Sequence, residues 1–174
     1  MIDLEKKIRN VPDFPKKGIG FKDITTLIGD GKALREAVRQ MMDLFKDEKV
    51  DAVIGIESRG FIFASIMAYE WGVGMVPVRK PGKLPYKTIS ESYELEYGTD
   101  SLEIHVDAVE KGQNVLIVDD LLATGGTVLA SARLAERLGA NVVGCCFLIE
   151  LDFLNARQRL SDYKIKSLIH FTQE

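Results

Sequence analysis

Residues 115–127 read VLIVDDLLATGGT, in which four apolar residues lead directly into two acids and a glycine-rich loop. An unbroken apolar run of this kind is typical of a strand buried on both faces of a parallel sheet. The loop from Ala123 to Thr127 offers closely spaced backbone N–H groups where the next helix begins, and a helix N-terminus favours an anion. The stretch therefore predicts a phosphate-binding loop at the end of a central strand.

The two acids before the loop, Asp119 and Asp120, are unexpected beside a phosphate because carboxylates repel it. They are explained if the ligand also presents hydroxyl groups or a metal ion, as a ribose 5-phosphate does. Two other interpretations stay open for the separate parts: the glycines as an ordinary turn, and the acids as a solvated strand end. The sequence has neither the P-loop pattern nor the spaced glycines of a dinucleotide-binding fingerprint.

The composition is that of an ordinary globular protein, with 174 residues, 46% of them hydrophobic and 28% charged. This length predicts a single domain that can bury a core without disulfides or structural metal. A net charge of −3 argues against non-specific binding of nucleic acid. The sequence has no N-terminal signal pattern and no apolar span of about 18 residues, so we expect a cytoplasmic protein without membrane contact. Its two cysteines, Cys145 and Cys146, are expected to pack as small hydrophobic residues.

The spacing of apolar residues along the chain alternates between the periods of strands and helices. It predicts helices over residues 32–48, 60–71 and 126–138, the last ended by Gly139, and further strands over residues 51–56, 75–78, 102–106, 141–149 and 165–171. This alternation predicts an α/β fold, a Rossmann-like central parallel sheet flanked by helices. Residues 81–100 hold Pro81, Gly82, Pro85 and Gly98 among many polar residues, and we interpret them as a long mobile loop.

Ligands of such sheets bind beyond the carboxyl ends of the strands, which brings residues 57–60, 79–83 and 119–127 to one edge. Residues 58–60, Ser-Arg-Gly, again lie between a strand and a helix and suit a second anion. Residues 79–83 add three cations within five positions. The alternatives are a surface charge at a helix start for Arg59 and a solvated charged face for residues 79–83. We interpret this edge as the candidate site.

The stretch 115–127 resembles the phosphoribosyl-diphosphate (PRPP) motif of the type I phosphoribosyltransferases, with its apolar strand, two acids, small residues and Thr-Gly-Gly-Thr. Four other stretches narrow the resemblance to the family of adenine phosphoribosyltransferases. They are PDFP at residues 12–15 with GFKDI at 20–24, ESRGF at 57–61, RKPGKLP at 79–85 and LEYG at 95–98. The resemblance spans residues 8–151 of the chain.

This resemblance implies one phosphoribosyltransferase domain over residues 1–174, with a small N-terminal hood for the base (residues 1–30) and a flexible lid loop (residues 81–100). It implies transfer of the 5-phosphoribosyl group from PRPP to adenine, which gives AMP and pyrophosphate in purine salvage. The implied cofactor is Mg²⁺ bound to PRPP, without a firm direct protein ligand, and the implied assembly is a homodimer. The alternatives are a transferase for guanine, xanthine or orotate, and a PRPP-sensing regulator that binds nucleic acid.

Carried over residue by residue, the resemblance implies a role for each part of the edge. Ala123, Thr124, Gly125, Gly126 and Thr127 would hold the 5-phosphate, while Asp119 and Asp120 would accept hydrogen bonds from the ribose hydroxyls and steady Mg²⁺ through water. Ser58, Arg59, Lys80 and Lys83 would bind the pyrophosphate group. A non-proline cis peptide would fall at Glu57–Ser58.

For the base, the resemblance implies stacking on Phe21 and backbone contacts around Gly20, Phe21 and Lys22. Lys22 replaces an arginine that is frequent there, a change that backbone contacts tolerate. Glu96 would complete the catalytic set with the two acids by handling a purine proton, and Tyr97 would close beside it. The alternatives are Phe21 as a core residue, and Glu96 and Tyr97 as an exposed acid and a packed aromatic. No role is assigned to residues 152–174.

Overall fold

A five-stranded parallel sheet forms the centre of the protein, as seen in a computed structural model that describes residues 2–94 and 98–173. Its strands are β3 (Ala52–Ile56), β4 (Gly74–Val78), β7 (Asn114–Leu122), β8 (Asn141–Leu151) and β9 (Ile165–Phe171), in the spatial order β4-β3-β7-β8-β9. Every neighbouring pair in this sheet is parallel. The predicted α/β fold with a Rossmann-like sheet is confirmed, and residues 115–122 lie in its central strand.

Helices pack around this sheet, the first two before β3 and the last three between successive strands as crossovers. They are α1 (Thr25–Ile28), α2 (Gly31–Leu44), α3 (Gly60–Trp71), α4 (Gly126–Arg137) and α5 (Ala156–Arg159), with short 3-10 helices at Glu5–Lys7 and Asp152–Leu154. The predicted bounds of α3 and β9 are reproduced, and β8 runs two residues further than predicted. None of the helices in the described part of the chain has the length and apolar character needed to cross a membrane.

Successive residues of β7 supply two separate cores because strand side chains alternate between the faces of a sheet. Val115 and Ile117 face the core that contains α4, whereas Leu116 and Val118 face the core that contains α2 and α3. All four side chains are fully buried. Helices cover both faces of the sheet, so every residue from 115 to 118 must be apolar, as predicted.

Helix α2 ends earlier than the predicted bound at residue 48. Asp30 begins it by accepting hydrogen bonds from the backbone N–H groups of Lys32 and Ala33. At the other end Phe45 leaves the helical conformation, and its buried ring packs over Gly144 on β8, where a Cβ would overlap it. The helix thus ends where its apolar pattern ends, at Phe45, and the charged residues 46–48 lie beyond it.

The end of α4 follows the predicted glycine stop. Gly139 adopts φ +89°, and its N–H donates to the Glu136 carbonyl while the Ala140 N–H donates to the Ala135 carbonyl. This is the Schellman arrangement, in which a left-handed residue closes the helix.

The hood, residues 1–30 in the sequence prediction, contains an antiparallel pair, β1 (Arg9–Val11) and β2 (Phe21–Asp23), followed by α1. Arg9 forms an ion pair with Asp23 across this pair. Ile24 and Leu27 are buried in the core that contains α2 and α3. These contacts fix Phe21 beside the carboxyl edge of the sheet.

Residues 81–100, interpreted from the sequence as a long mobile loop, contain strand structure over about half of their length. Residues Thr88–Glu94 form β5, which pairs antiparallel with β6 (Thr99–His105) as a hairpin over α4. The side chains at positions 89, 91 and 93 are partly buried while those at 90, 92 and 94 are exposed, which is the period of a strand with one packed face. The prolines and glycines of the segment lie outside the strands, so they mark turns and do not prevent strand formation.

Candidate active site

The ends of β3 and β7 bring two predicted groups into direct contact. Arg59 begins α3 directly after β3, and its Nε lies 2.8 Å from Oδ2 of Asp120 on β7. Gly60 follows and packs against Asp119, such that a Cβ on Gly60 would lie 2.7 Å from Asp119 Oδ1. The peptide bond between Glu57 and Ser58 is cis, as the resemblance implies.

The acid pair is held in a way that favours its protonated forms. Burial raises the pKa of Asp119 well above its usual value, and the neighbouring Asp120 carboxylate adds to this shift. Burial also raises the pKa of Asp120, although Arg59 opposes the shift. The Arg59 N–H is not aligned for a hydrogen bond, so among the described residues Asp120 Oδ2 is a buried oxygen without a hydrogen-bond donor. Such an oxygen is suited to accept from a ligand hydroxyl.

The loop of residues 123–127 presents free backbone donors. Gly125 takes φ +81°, a conformation that favours glycine, and a Cβ there would lie 3.1 Å from the Leu160 side chain. Within the described residues no side chain caps the start of α4. Its first N–H groups therefore remain available to an anion, and the exposed Thr124 adds a hydroxyl group.

The Glu57 carboxylate accepts hydrogen bonds from the cationic segment that follows β4. The donors are Arg79 at 3.2 and 3.3 Å, Lys83 Nζ at 2.5 Å and the Lys80 backbone N–H at 3.0 Å. Burial alone would raise the pKa of Glu57, but the bonds from Lys83 and Arg79 outweigh it and lower the pKa to about 2. One acid therefore orders two of the three predicted cations, Arg79 and Lys83, and holds the third residue, Lys80, by its backbone.

Lys80 points away from Glu57 and toward the hairpin. Its ammonium donates to the carboxylate of Asp100 and, at 2.8 Å, to the hydroxyl of Tyr93. The two partners lie directly opposite each other on β6 and β5. The Tyr93 ring also reaches the phosphate loop, where a Cβ on Gly126 would lie 3.1 Å from its edge.

The base side of the site is formed by the hood. The Arg59 guanidinium lies over the Phe21 ring, 5.2 Å from its centroid, and the Phe14 ring meets Phe21 edge-on at 5.2 Å. Phe21 is half-buried, so one part of its surface is open beside the acid pair. The Lys22 side chain turns elsewhere, since its Nζ donates to Asn10 and lies 4.6 Å from the Phe171 ring centroid. This placement leaves Lys22 only its backbone for the predicted base contact.

Several residues at this edge have no counterpart in the sequence prediction. Tyr93 and Asp100 belong to the hairpin that was interpreted as a loop. Leu160 and Arg159 lie on or beside α5, in the segment without an assigned role, and contact the space around Gly125 and Gly126. The alternation along β5 could have identified Tyr93, whereas no local pattern points to α5. Glu96 and Tyr97 lie outside the described residues.

The oxygen atoms of the acid pair fit a magnesium ion or its bound water, because they are carboxylates with one buried oxygen that lacks a donor. A second group of possible ligands, Glu150, Asp152 and His170, lies at the ends of β8 and β9. There Arg157 and Ser167 already occupy the Glu150 carboxylate with hydrogen bonds of 2.7–2.8 Å. The acid pair is therefore the better candidate for a metal ion.

The family model of the phosphoribosyl transferase domain matches residues 25–173. Over 97% of the chain, the sequence is 58% identical to an adenine phosphoribosyltransferase of Nitrosococcus oceani, of which 98% is covered. The crystal structure of adenine phosphoribosyltransferase from Thermoanaerobacter pseudethanolicus superimposes with a TM-score of 0.95 at 56% identity, covering 97% of this chain and 98% of that one. The Saccharomyces cerevisiae enzyme, complexed with an imino-altritol bisphosphate and adenine, matches at 38% identity and a TM-score of 0.89, with 95% and 96% covered.

The protein is thus a phosphoribosyltransferase by its fold and by its match to the domain family. Within that class, the chain belongs to the family of adenine phosphoribosyltransferases.

Proposed function

We propose that the protein transfers the 5-phosphoribosyl group of PRPP to N9 of adenine and releases AMP and pyrophosphate. The observation that carries this proposal is the buried Asp120 Oδ2, which has no hydrogen-bond donor among the described residues and lies beside a loop of free amides. A ribose 5-phosphate can donate a hydrogen bond from a hydroxyl group to Asp120 Oδ2 and can accept hydrogen bonds from the loop amides through its phosphate. The relatives named above support adenine as the base.

One side chain links the sugar side of the site to the base side. Arg59 contacts Asp120 through its Nε and lies over the Phe21 ring through its guanidinium. A base stacked on Phe21 would therefore lie next to the ribose held by the acid pair. This arrangement holds two reactants close together, which is a principal source of catalysis in a transfer reaction.

In the reaction, the bond between the anomeric carbon and a pyrophosphate oxygen breaks while a bond from adenine N9 forms. The ribose passes through an oxocarbenium-like state, and negative charge grows on the leaving pyrophosphate. In this proposal Ser58, Arg59, Lys80 and Lys83 stabilise that charge. Asp119 and Asp120 would hold Mg²⁺ through water, and the ion would supply further positive charge to the same group.

The site must exclude water, because water would compete with adenine for the ribosyl group. We assign this role to the lid, residues 81–100, which includes β5 and ends within the hairpin. Glu96, which the sequence places in this lid, is proposed to handle a purine proton, and Tyr97 to close beside it.

We also propose that the protein is a cytoplasmic homodimer. Large hydrophobic side chains remain exposed on the single chain, among them Tyr86 (57%) and Val106 (40%). Exposed apolar surface of this kind is a feature of protein contacts. The two cysteines are unpaired, as is usual in a reducing compartment. Light scattering coupled to size-exclusion chromatography tests the assembly, and a monomeric mass would refute it.

The activity is tested by incubating the purified protein with PRPP, Mg²⁺ and each of adenine, guanine, xanthine and orotate. We expect AMP and pyrophosphate from adenine alone. Turnover of another base in place of adenine would change the proposed substrate. Binding of PRPP without turnover of any base would indicate a PRPP-sensing regulator and contradict the proposed enzyme.

A further inference from the structure

The Lys80 ammonium is held by a pair of residues on the hairpin. It donates to the Asp100 carboxylate and to the Tyr93 hydroxyl, and that hydroxyl donates to the same carboxylate at 3.3 Å. The ammonium also lies 5.3 Å from the centroid of the Tyr93 ring. Three groups thus form a closed cluster between the end of β4 and the hairpin.

The cluster carries opposite charges at neutral pH. The bond from Lys80 lowers the pKa of Asp100, and the Ser101 backbone N–H adds to this effect. Burial alone would lower the pKa of Lys80, but the bonds to Asp100 and Tyr93 outweigh it and raise the pKa. About a third of each charged side chain is exposed, so an anion from solution can reach the pair.

The same tyrosine ties the cluster to the phosphate loop. The Tyr93 ring edge packs against Gly126 at the start of α4, and Asp100 is its direct neighbour across the hairpin. A change in the position of this pair therefore affects both the Lys80 ammonium and the surface that faces the 5-phosphate loop.

We propose that Asp100 is a positioning residue that holds the Lys80 ammonium on the hairpin. Because the pyrophosphate group must displace Asp100 from Lys80, Asp100 weakens the binding of pyrophosphate and speeds its release. This inference rests on the proposed function, in which Lys80 binds pyrophosphate. A pyrophosphate oxygen and the Asp100 carboxylate are both anionic, and they compete for the Lys80 ammonium group. Pyrophosphate must therefore break the ion pair between Lys80 and Asp100 before it can bind the ammonium group.

The test measures product inhibition by pyrophosphate in the variant Asp100→Asn. We expect the inhibition constant of pyrophosphate to fall about threefold to fivefold, the scale of a partly exposed ion pair. The KM for PRPP should fall in the same direction, and the KM for adenine should not change. Asp107→Asn, an exposed residue just after β6, makes the same chemical change and should leave all three constants unchanged.

A double-mutant cycle with Lys80→Met separates positioning from simple charge removal. If Asp100 acts through Lys80, Asp100→Asn has no effect on pyrophosphate binding once Lys80 is replaced. An equal effect in both backgrounds, weaker pyrophosphate binding in Asp100→Asn, or no effect at all would overturn the inference. Tyr93→Phe, which removes one of the two acceptors of Lys80, should shift the same constant in the same direction by a smaller factor.

Thermal unfolding of each variant shows whether it is folded before its constants are compared. If Asp100→Asn does not fold, the prediction for Tyr93→Phe decides the matter alone. A parent protein that forms no AMP would contradict the proposed function. A parent protein that forms AMP and is inhibited by pyrophosphate, but shows no coupling in the cycle, would contradict only the role of Asp100.

Discussion

Gly60 and Asp119 are packed so closely that the site has no room for a side chain between them. A Cβ on Gly60 would lie 2.7 Å from Asp119 Oδ1 and 2.9 Å from the Val118 carbonyl oxygen. The start of α3 and the end of β7 can therefore approach this closely only because residue 60 is a glycine. Their approach also brings Arg59 to Asp120.

We predict that Gly60→Ala separates these two elements. Overpacking should cost about 1–3 kcal/mol of unfolding free energy. The value of kcat/KM should also fall, and by more than a loss of folded protein would explain, because Asp119 and Asp120 must move. Urea unfolding and a steady-state assay measure both effects.

The control for this variant is Gly74→Ala at the start of β4, where no atom lies within 4 Å of the new Cβ. Its unfolding free energy should change by less than about 0.5 kcal/mol. A fully active Gly60→Ala protein would show that the close approach is not needed.

A second prediction concerns the cost of keeping Asp119 ionised. Its folded-state pKa is raised, so ionisation at neutral pH opposes folding, and stability falls as the pH rises through that pKa. Asp119→Asn should therefore raise the unfolding free energy at pH 7 by about 1 kcal/mol. It should also reduce kcat/KM at least about tenfold, because a charged acceptor for the ribose is lost.

The pH dependence provides the check on this explanation. As the pH falls below about 3.9 the carboxyl group becomes protonated in the unfolded state as well as in the folded state, so the gain in stability should shrink toward zero. Chemical unfolding at pH 3.5, 5 and 7, pH values chosen on either side of the ordinary aspartate pKa of about 3.9, makes this comparison. A lower stability of the variant at pH 7 would contradict the interpretation.

Glu57 is expected to act in the opposite sense. Its pKa is lowered to about 2 from the ordinary value of 4.5, so its contribution to stability is complete above pH 4.5 and is lost as the pH falls toward 2. Glu57→Gln should cost about 1–3 kcal/mol at pH 7, the scale of bonds to a charged group. The difference from the parent protein should shrink in acid, whereas Glu70→Gln on the exposed face of α3 should behave like the parent throughout.

Phe21 provides a prediction for the base. Phe21→Ala removes the ring that lies beside Arg59, and stacking of a base on an aromatic side chain contributes about 1–3 kcal/mol. The KM for adenine should rise about tenfold, since 1.4 kcal/mol corresponds to a factor of ten, while the KM for PRPP changes little. Tyr69→Ala, an exposed aromatic on α3, is the matched control. Equal effects on both substrates would indicate that Phe21 supports the fold of the hood instead.

Features that depend on neighbouring residues in the sequence were predicted correctly, whereas features that depend on contacts between distant segments were not. The central strand and the loop of residues 123–127 were predictable because apolar period and helix termini are local properties. The first strand of the hairpin was missed because the turn residues near it outweighed the alternation along β5, whereas the second strand overlaps the predicted strand over residues 102–106. Lys80 and Asp100 are 20 positions apart, and no sequence pattern indicates which carboxylate forms an ion pair with a given lysine. The contact between Gly60 and Asp119 likewise depends on two strands whose spacing is set by tertiary packing.

The two buried cysteines on β8 make the chain convenient for spectroscopic work. Cys145 and Cys146 are fully buried in opposite cores, and burial raises the pKa of Cys145 to about 12 and that of Cys146 as well. Thiols of this kind react slowly with alkylating reagents because they remain protonated. A single cysteine introduced at an exposed position of the hairpin, such as Ser90, would carry a fluorescent or spin label without removal of the native pair. Strand β8 thus keeps both native thiols away from the surface, so that a label on the hairpin reports the movement of the hairpin.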